Sequence, residues 1–274
     1  MANRSSPEGG YGFGRKRHYR RQVWKTIRSE CRKASISIPD AHALLMPSVE
    51  GDEIDVALAS GFREQHLHVV DRNPAIVAVL KRRYPRIQTY GVELDRAAAR
   101  VAQAGVQLSA ANLDLCGQVS VSVVDTLARF STAGCLHPAF ACVAVTVLRG
   151  REHRGFASSV RGMFEAPELE WDALRLKAIV MGVTLIDRAY PDVYQPVRAD
   201  HYLSSSGQTM LWSVQNVFRP DVQNGRWGLS LPLTKHRSAM HVLFPDGFPP
   251  NYRAQYEAVL SQYVSPAVVR EFSR

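Results

Sequence analysis

Between residues 42 and 148, short apolar runs alternate with stretches patterned for helix, and this alternation restricts the fold more than any other feature. The runs at 42–46, 66–70, 87–90, 107–113 and 139–148 read as strands. Helices are expected over 52–60, 74–83, 95–104 and 119–130. Strands joined through helices of about ten residues pair in parallel, because a parallel neighbour needs a long crossover, and such crossovers are right-handed. The expectation is an α/β protein with a mostly parallel sheet.

Local signals sharpen several boundaries. Asn73-Pro74 joins an N-cap to a proline at the first helical position, with Ile76, Val79 and Leu80 expected inward and Lys81-Arg82-Arg83 at the negative end of the helix dipole. Gly61 and Gly105 close the preceding and following helices. After the basic loop at 149–155 the rhythm changes: a helix is expected at 169–188, then runs at 193–203 and 208–218 with no helix between them. Ser204-Ser205-Ser206-Gly207 makes that pair an antiparallel hairpin. At the amino end, residues 1–14 read as a flexible arm. Residues 15–34 read as a helix whose Val23, Ile27 and Cys31 recur every four positions beside Trp24. The division expected is a basic arm and helix at 1–34, a Rossmann-like domain at 35–220, and an extension at 221–274 packed on it, with one helix near 252–263.

Two of the runs end in a carboxylate. Asp71 closes the second, and Asp114, in Asn112-Leu113-Asp114-Leu115-Cys116-Gly117, closes the fourth. Ligands of open parallel sheets bind at the carboxyl ends of strands, so two acids there point to a nucleotide-like cofactor beside a reaction site.

Composition narrows the partners. An apolar fraction of 46 % supports a full core, and 34 basic against 25 acidic residues give a net charge of +9. Much of the excess lies in Arg15, Lys16, Arg17, Arg20, Arg21, Lys25, Arg28, Arg32 and Lys33, opposed only by Glu30. Such a face attracts phosphate backbones, although a solvated helix face has the same composition. Arg149, Arg151 and Arg154 could grip phosphates near the cleft. Tyr11, Phe13 and Tyr19 are read as exposed rings that could stack on bases, whereas Tyr202, Trp212 and Trp227 are read as packing. His137 and His153 read as loop histidines.

Cys31, Cys116, Cys135 and Cys142 show no metal-ligand spacing, so no metal is expected, and unpaired cysteines fit a reducing cytoplasm. No apolar stretch approaches the ~20 residues that span a bilayer, and no signal-peptide pattern is read at the amino end.

Five β/α units, a further helix and a closing hairpin, over roughly residues 41–218, resemble the class I S-adenosylmethionine-dependent methyltransferase fold. The resemblance implies S-adenosyl-L-methionine as cofactor. It places Gly51, with Glu50 beside it, at the turn after the first strand, Asp71 on the ribose hydroxyls, and Gly91 with Glu93 near the adenine. It makes Asp114 and Asn112 the catalytic candidates. The chain departs from the family pattern at four places. Pro47 and Val49 stand where glycines are usual, and Leu45 replaces an acid. Val92 takes an acid's place, and two prolines and an aromatic are missing after Asp114. Cys116 lacks the preceding proline of the cytosine-carbon enzymes. Three functions stay open: a methyltransferase acting on RNA or DNA, which the basic helix favours; a non-catalytic nucleic-acid-binding or assembly protein that keeps the fold; and a methyltransferase for a small molecule or protein.

Overall fold

The computed structural model describes residues 8–150, 194–204 and 206–218. Seven strands form one sheet in the order β3-β2-β1-β4-β5-β7-β6. They are β1 (His42–Leu45), β2 (Leu67–Val70), β3 (Gln88–Tyr90), β4 (Leu108–Gln118), β5 (Phe140–Leu148), β6 (Tyr194–Leu203) and β7 (Thr209–Phe218). The first five pair in parallel, whereas β7 runs antiparallel to both β5 and β6. This is a Rossmann-like α/β sheet, mostly parallel and closed by an antiparallel hairpin.

The helices are α1 (Glu8–Lys33), α2 (Asp52–Ala59), α3 (Pro74–Arg83), α4 (Leu94–Gln103) and α5 (Val121–Thr132). They divide between the two faces of the sheet. Val23, Trp24, Ile27, Ile54, Ala57 and Leu80 pack with Leu45, Val69, Ala110 and Ala144 on one face. On the other, Leu94, Ala97, Val101, Leu127 and Phe130 pack with Leu44, Val70, Ala111, Leu113 and Val143. The strands are therefore apolar on both sides, as a parallel sheet covered on both faces requires.

Local chemistry explains the boundaries. Asn73 Oδ1 accepts from Ala75 N–H with Pro74 at the first helical position, and Ser120 Oγ caps α5 by accepting from Val123 N–H. Gly61, Gly105 and Gly207 adopt positive φ at two helix ends and in the hairpin turn.

Four sequence readings are corrected. Val79 is 37 % exposed and Val77 is buried in its stead, because Val77 and Leu80 define the inward stripe of α3. Strand β4 continues to Gln118, since its outer half still pairs with β5 after β1 has ended. Helix α1 starts at Glu8, so residues 8–14 belong to a helix rather than to an arm. Its Tyr19 is 2 % exposed and is core, not a surface ring. The helices expected at 169–188 and 252–263, with Arg151, His153, Arg154 and Trp227, lie outside the described residues.

Candidate functional site

Strand order reverses between β1 and β4: from β1 the chain moves outward to β2 and β3, then returns to β4 and β5. A crevice opens at such a reversal, outside the carboxyl ends of the strands. Leu45, the last residue of β1, pairs with Asn112, and Asp114 stands two residues farther along β4, opposite Thr146 of β5. Asp114 thus lies at the mouth of the crevice.

Each Asp114 oxygen has a partner. Lys16 Nζ of α1 lies 3.4 Å from Oδ2, and Cys116 Sγ donates to Oδ1 at 3.0 Å. Cys116 has φ 52°, a strained conformation for a non-glycine residue, and the β4–β5 ladder is interrupted between Asp114 and Gln118. Strain of this kind concentrates at functional sites. Burial, then the charge and hydrogen bond of Asp114, push the Cys116 thiol up to about 12, so it remains a protonated donor and not a nucleophile.

Beneath this lies a buried polar network. Glu53, in the first turn of α2, is 3 % exposed. Its Oε1 accepts from Trp24 Nε1 and Asn112 Nδ2, both at 2.5 Å, and its Oε2 lies 3.2 Å from Arg20 Nε. Arg20 also donates to Asp52 at 2.9 Å. Burial raises the Glu53 pKa, opposed by Arg20 and by the two hydrogen bonds. Asn112 is 1 % exposed, and its Oδ1 is buried without a partner among the described residues. A buried acceptor with no donor is costly unless a water or ligand supplies one.

The remaining cofactor candidates occupy neighbouring strand ends. Asp71 follows β2, and its Oδ1 accepts from Asn73 N–H at 2.7 Å. Gly91 follows β3 and packs on Pro74, with Glu93 exposed at the N-cap of α4. Glu50 is exposed in the loop after β1, and its carboxyl is held low by a Ser48 hydrogen bond, its own backbone N–H and the charges of Arg20 and Lys16. Gly51 caps α2 at φ 72°; a Cβ there would stand 2.9 Å from the Tyr84 ring. That glycine makes room for Tyr84, which donates to Asp55 at 2.6 Å. The structure thus places Asn112 and Asp114 on β4 beside the end of β1, with Glu50 and Gly51 in the loop after β1 and Asp71, Gly91 and Glu93 after the neighbouring strands.

The basic residues separate into two groups. Arg17 and Arg21 are exposed and Arg28 is half-buried on α1. Arg20 is 4 % exposed and bound to Asp52 and Glu53, which corrects its reading as a nucleic-acid contact: its guanidinium is used inside the protein. Arg15 lies in the α1 backbone, and the exposed Arg149 follows β5. His137 Nδ1 accepts from the N–H groups of Ala139 and Phe140, a local loop role.

The sequence reading missed Lys16 as the partner of Asp114, and Glu53 altogether. It also missed a histidine chain. Buried His68 joins Tyr90 Oη through Nδ1 and His42 Nδ1 through Nε2, both at 3.0 Å, and His42 lies against His66. Burial, then His42 and His66, push His68 down to about 4. Among the described residues no cluster of His, Cys, Asp or Glu is placed to hold a metal ion, and no helix is long and apolar enough to cross a membrane.

No family model and no curated protein matches the chain. Solved structures do. A Streptococcus mutans protein described as a SAM-dependent methyltransferase aligns over 70 % of this chain and 48 % of its own, at 10 % identity and TM-score 0.46. TrmN from Thermus thermophilus aligns over 70 % and 48 %, at 11 % identity and TM-score 0.43. A Streptococcus thermophilus protein described as a hemolysin aligns over 81 % and 74 %, at 14 % identity and TM-score 0.46. The chain spans about half the length of the first two.

Proposed function

We propose that this chain is an S-adenosylmethionine-dependent methyltransferase whose acceptor is a nucleic acid, RNA or DNA. The observation that carries the reading is the place of Asp114: in the outer half of the central strand, two residues past the end of its pairing with β1 at the β1/β4 reversal, and two before the strained Cys116. Support for a fit to the cofactor comes from Asn112, whose buried Oδ1, unpartnered among the described residues, would accept from the cofactor's ammonium group. Asp71 would take the ribose hydroxyls, Gly91 and Glu93 would border the adenine, and Glu50 and Gly51 would border the methionine end. When bound, the cofactor supplies an electrophilic methyl group.

Asp114 orients the acceptor by taking a hydrogen bond from it, which requires Lys16 to leave Oδ2. Cys116 can keep its hold on Oδ1, fixing the carboxylate while the other oxygen turns to the acceptor. Arg15, Arg17, Arg21, Arg28, Arg149 and Arg151 are the proposed contacts to phosphates. Cys31, Cys116 and Cys142, which form no disulfide in this structure, support a cytoplasmic location. One observation favours the non-catalytic alternative: the space above Gly51 is filled by Tyr84.

Transfer of a labelled methyl group to bulk RNA or DNA tests the proposal. Asp114→Asn should slow transfer at least roughly tenfold, the loss expected on altering a positioned polar group. Transfer by the variant at the parental rate would remove Asp114 from the mechanism; no transfer by the parent to any nucleic acid would favour the binding protein.

A further inference from the structure

Helix α1 carries two kinds of cation. Lys16, Arg20 and Lys33 are each paired with a carboxylate. Arg17, Arg21, Lys25 and Arg28 have no ion-pair partner among the described residues, and all four line one groove of about 250 Å³ between α1 and α2. Their spacing of four, four and three places them along one stripe of the helix, roughly 16 Å long at 1.5 Å per residue.

The facing wall holds Asp52 and Asp55, which would repel an anion if their charge were free. It is not: Asp52 is bound by Arg20 at 2.9 Å, and Asp55 by Arg83 at 3.2 Å and by the Tyr84 hydroxyl. Arg20 also serves Glu53, so one carboxylate charge is left over, and the groove's four cations still outweigh the acids that face them. Arg28 Nε, in addition, is buried there with no acceptor. The residue as a whole is half-buried, and an N–H left without an acceptor carries a cost that a nearby anion would reduce. An exposed, merely solvated helix face would have neither the concavity nor the orphaned donor.

We infer that the groove between α1 and α2 is a discrete binding site for the phosphodiester backbone of a nucleic-acid strand, with Arg17, Arg21, Lys25 and Arg28 as its contacts. The inference rests on the proposed acceptor class and deepens it, by setting the strand's phosphates apart from the β1/β4 crevice where the acceptor atom is presented.

The test uses the full chain and a fluorescent single-stranded oligonucleotide, titrated at several salt concentrations. The variant Arg21→Ala/Lys25→Ala/Arg28→Ala should bind at least about tenfold more weakly near 0.1 M salt. Its log–log salt slope should flatten by about two units, three lost contacts at ~0.7 each. The variant Arg17→Ala/Lys25→Ala alters only exposed side chains and should flatten the slope by about one unit, so loss of fold cannot mimic the result. A control with the same charge change elsewhere, Arg82→Ala/Arg86→Ala/Arg96→Ala, should retain parental affinity and slope. Equal losses in control and groove variants would show diffuse attraction and overturn the inference, as would unchanged binding by the groove variants. Adenosine diphosphate, a free phosphate source, is the competing ligand. If it fills the groove at lower concentration than the oligonucleotide, the strand assignment fails. A parallel titration of the parent with S-adenosylhomocysteine reads the enzyme proposal separately: its failure would leave the groove result standing.

Discussion

Replacing Glu53 by leucine should destabilise the protein more than any other single change at the crevice. The carboxylate accepts from the Trp24 indole N–H and the Asn112 amide and forms an ion pair with Arg20, all at sites 4 % exposed or less. Removing one partner of a buried ion pair costs about 3–5 kcal/mol, because the other charge is left uncompensated. Each neutral donor left bare adds about 1–3 kcal/mol, but these terms are not additive within one network. Arg20 keeps Asp52 at 2.9 Å, which holds the total near the lower figures. The expected loss is about 4 kcal/mol, or on the order of 10 °C at the 2–4 °C per kcal/mol typical of domains this large. Urea unfolding of the parent, Glu53→Leu, Arg20→Met and the double variant provides the assay. The double variant should be more stable than the sum of the single losses predicts, since it removes both charges at once. A loss below about 1 kcal/mol in Glu53→Leu, or strict additivity in the cycle, would refute the claim that these residues act as a unit.

Two further effects follow from packing and burial. His68 is held neutral, its pKa pushed down to about 4 while the unfolded chain titrates near the ordinary value of 6.5, so between those values the unfolded state binds more protons. Stability from this group is complete above about pH 6.5 and falls by roughly 3 kcal/mol as pH drops to 4; His68→Gln should remove that slope, and an identical pH profile in the variant would contradict it. Gly51→Ala would place a Cβ 2.9 Å from the Tyr84 ring at φ 72° and should cost roughly 1–3 kcal/mol in urea unfolding, against no change if the turn can adjust freely.

The fold was largely legible because it is written in local signals. Asn73-Pro74 caps α3, the 3.6-residue stripe of α1 buries Val23 and Ile27, and Ser204 to Gly207 turn the hairpin. Ambiguity arose where two periodicities compete: Val77 and Val79 are equally apolar, and only packing on the sheet chooses Val77. The candidate site rests on fewer local signals. Asp71 and Asp114 announce themselves by ending apolar runs, but Glu53 looks like an ordinary acid in the first turn of a helix, where the dipole favours it exposed. Its burial depends on Trp24, Arg20 and Asn112, which arrive from 29, 33 and 59 positions away. The available clue was an indole and an amide on apolar faces, each requiring an acceptor. Arg20 and Tyr19 were misplaced for a related reason. A basic run obscures which of its members turn inward, and α1 turns Tyr19 onto Thr146 and Tyr202.

The central claim is that the crevice between β1 and β4 holds S-adenosylmethionine. Calorimetric titration of the full chain with S-adenosylhomocysteine, in parallel with Asp71→Ala, tests it most directly. The account predicts saturable one-to-one binding by the parent and a loss of roughly 1.5–3 kcal/mol in the variant, the scale of a hydrogen bond to a charged group. No heat of binding in the parent, or equal affinity in the two proteins, would contradict it.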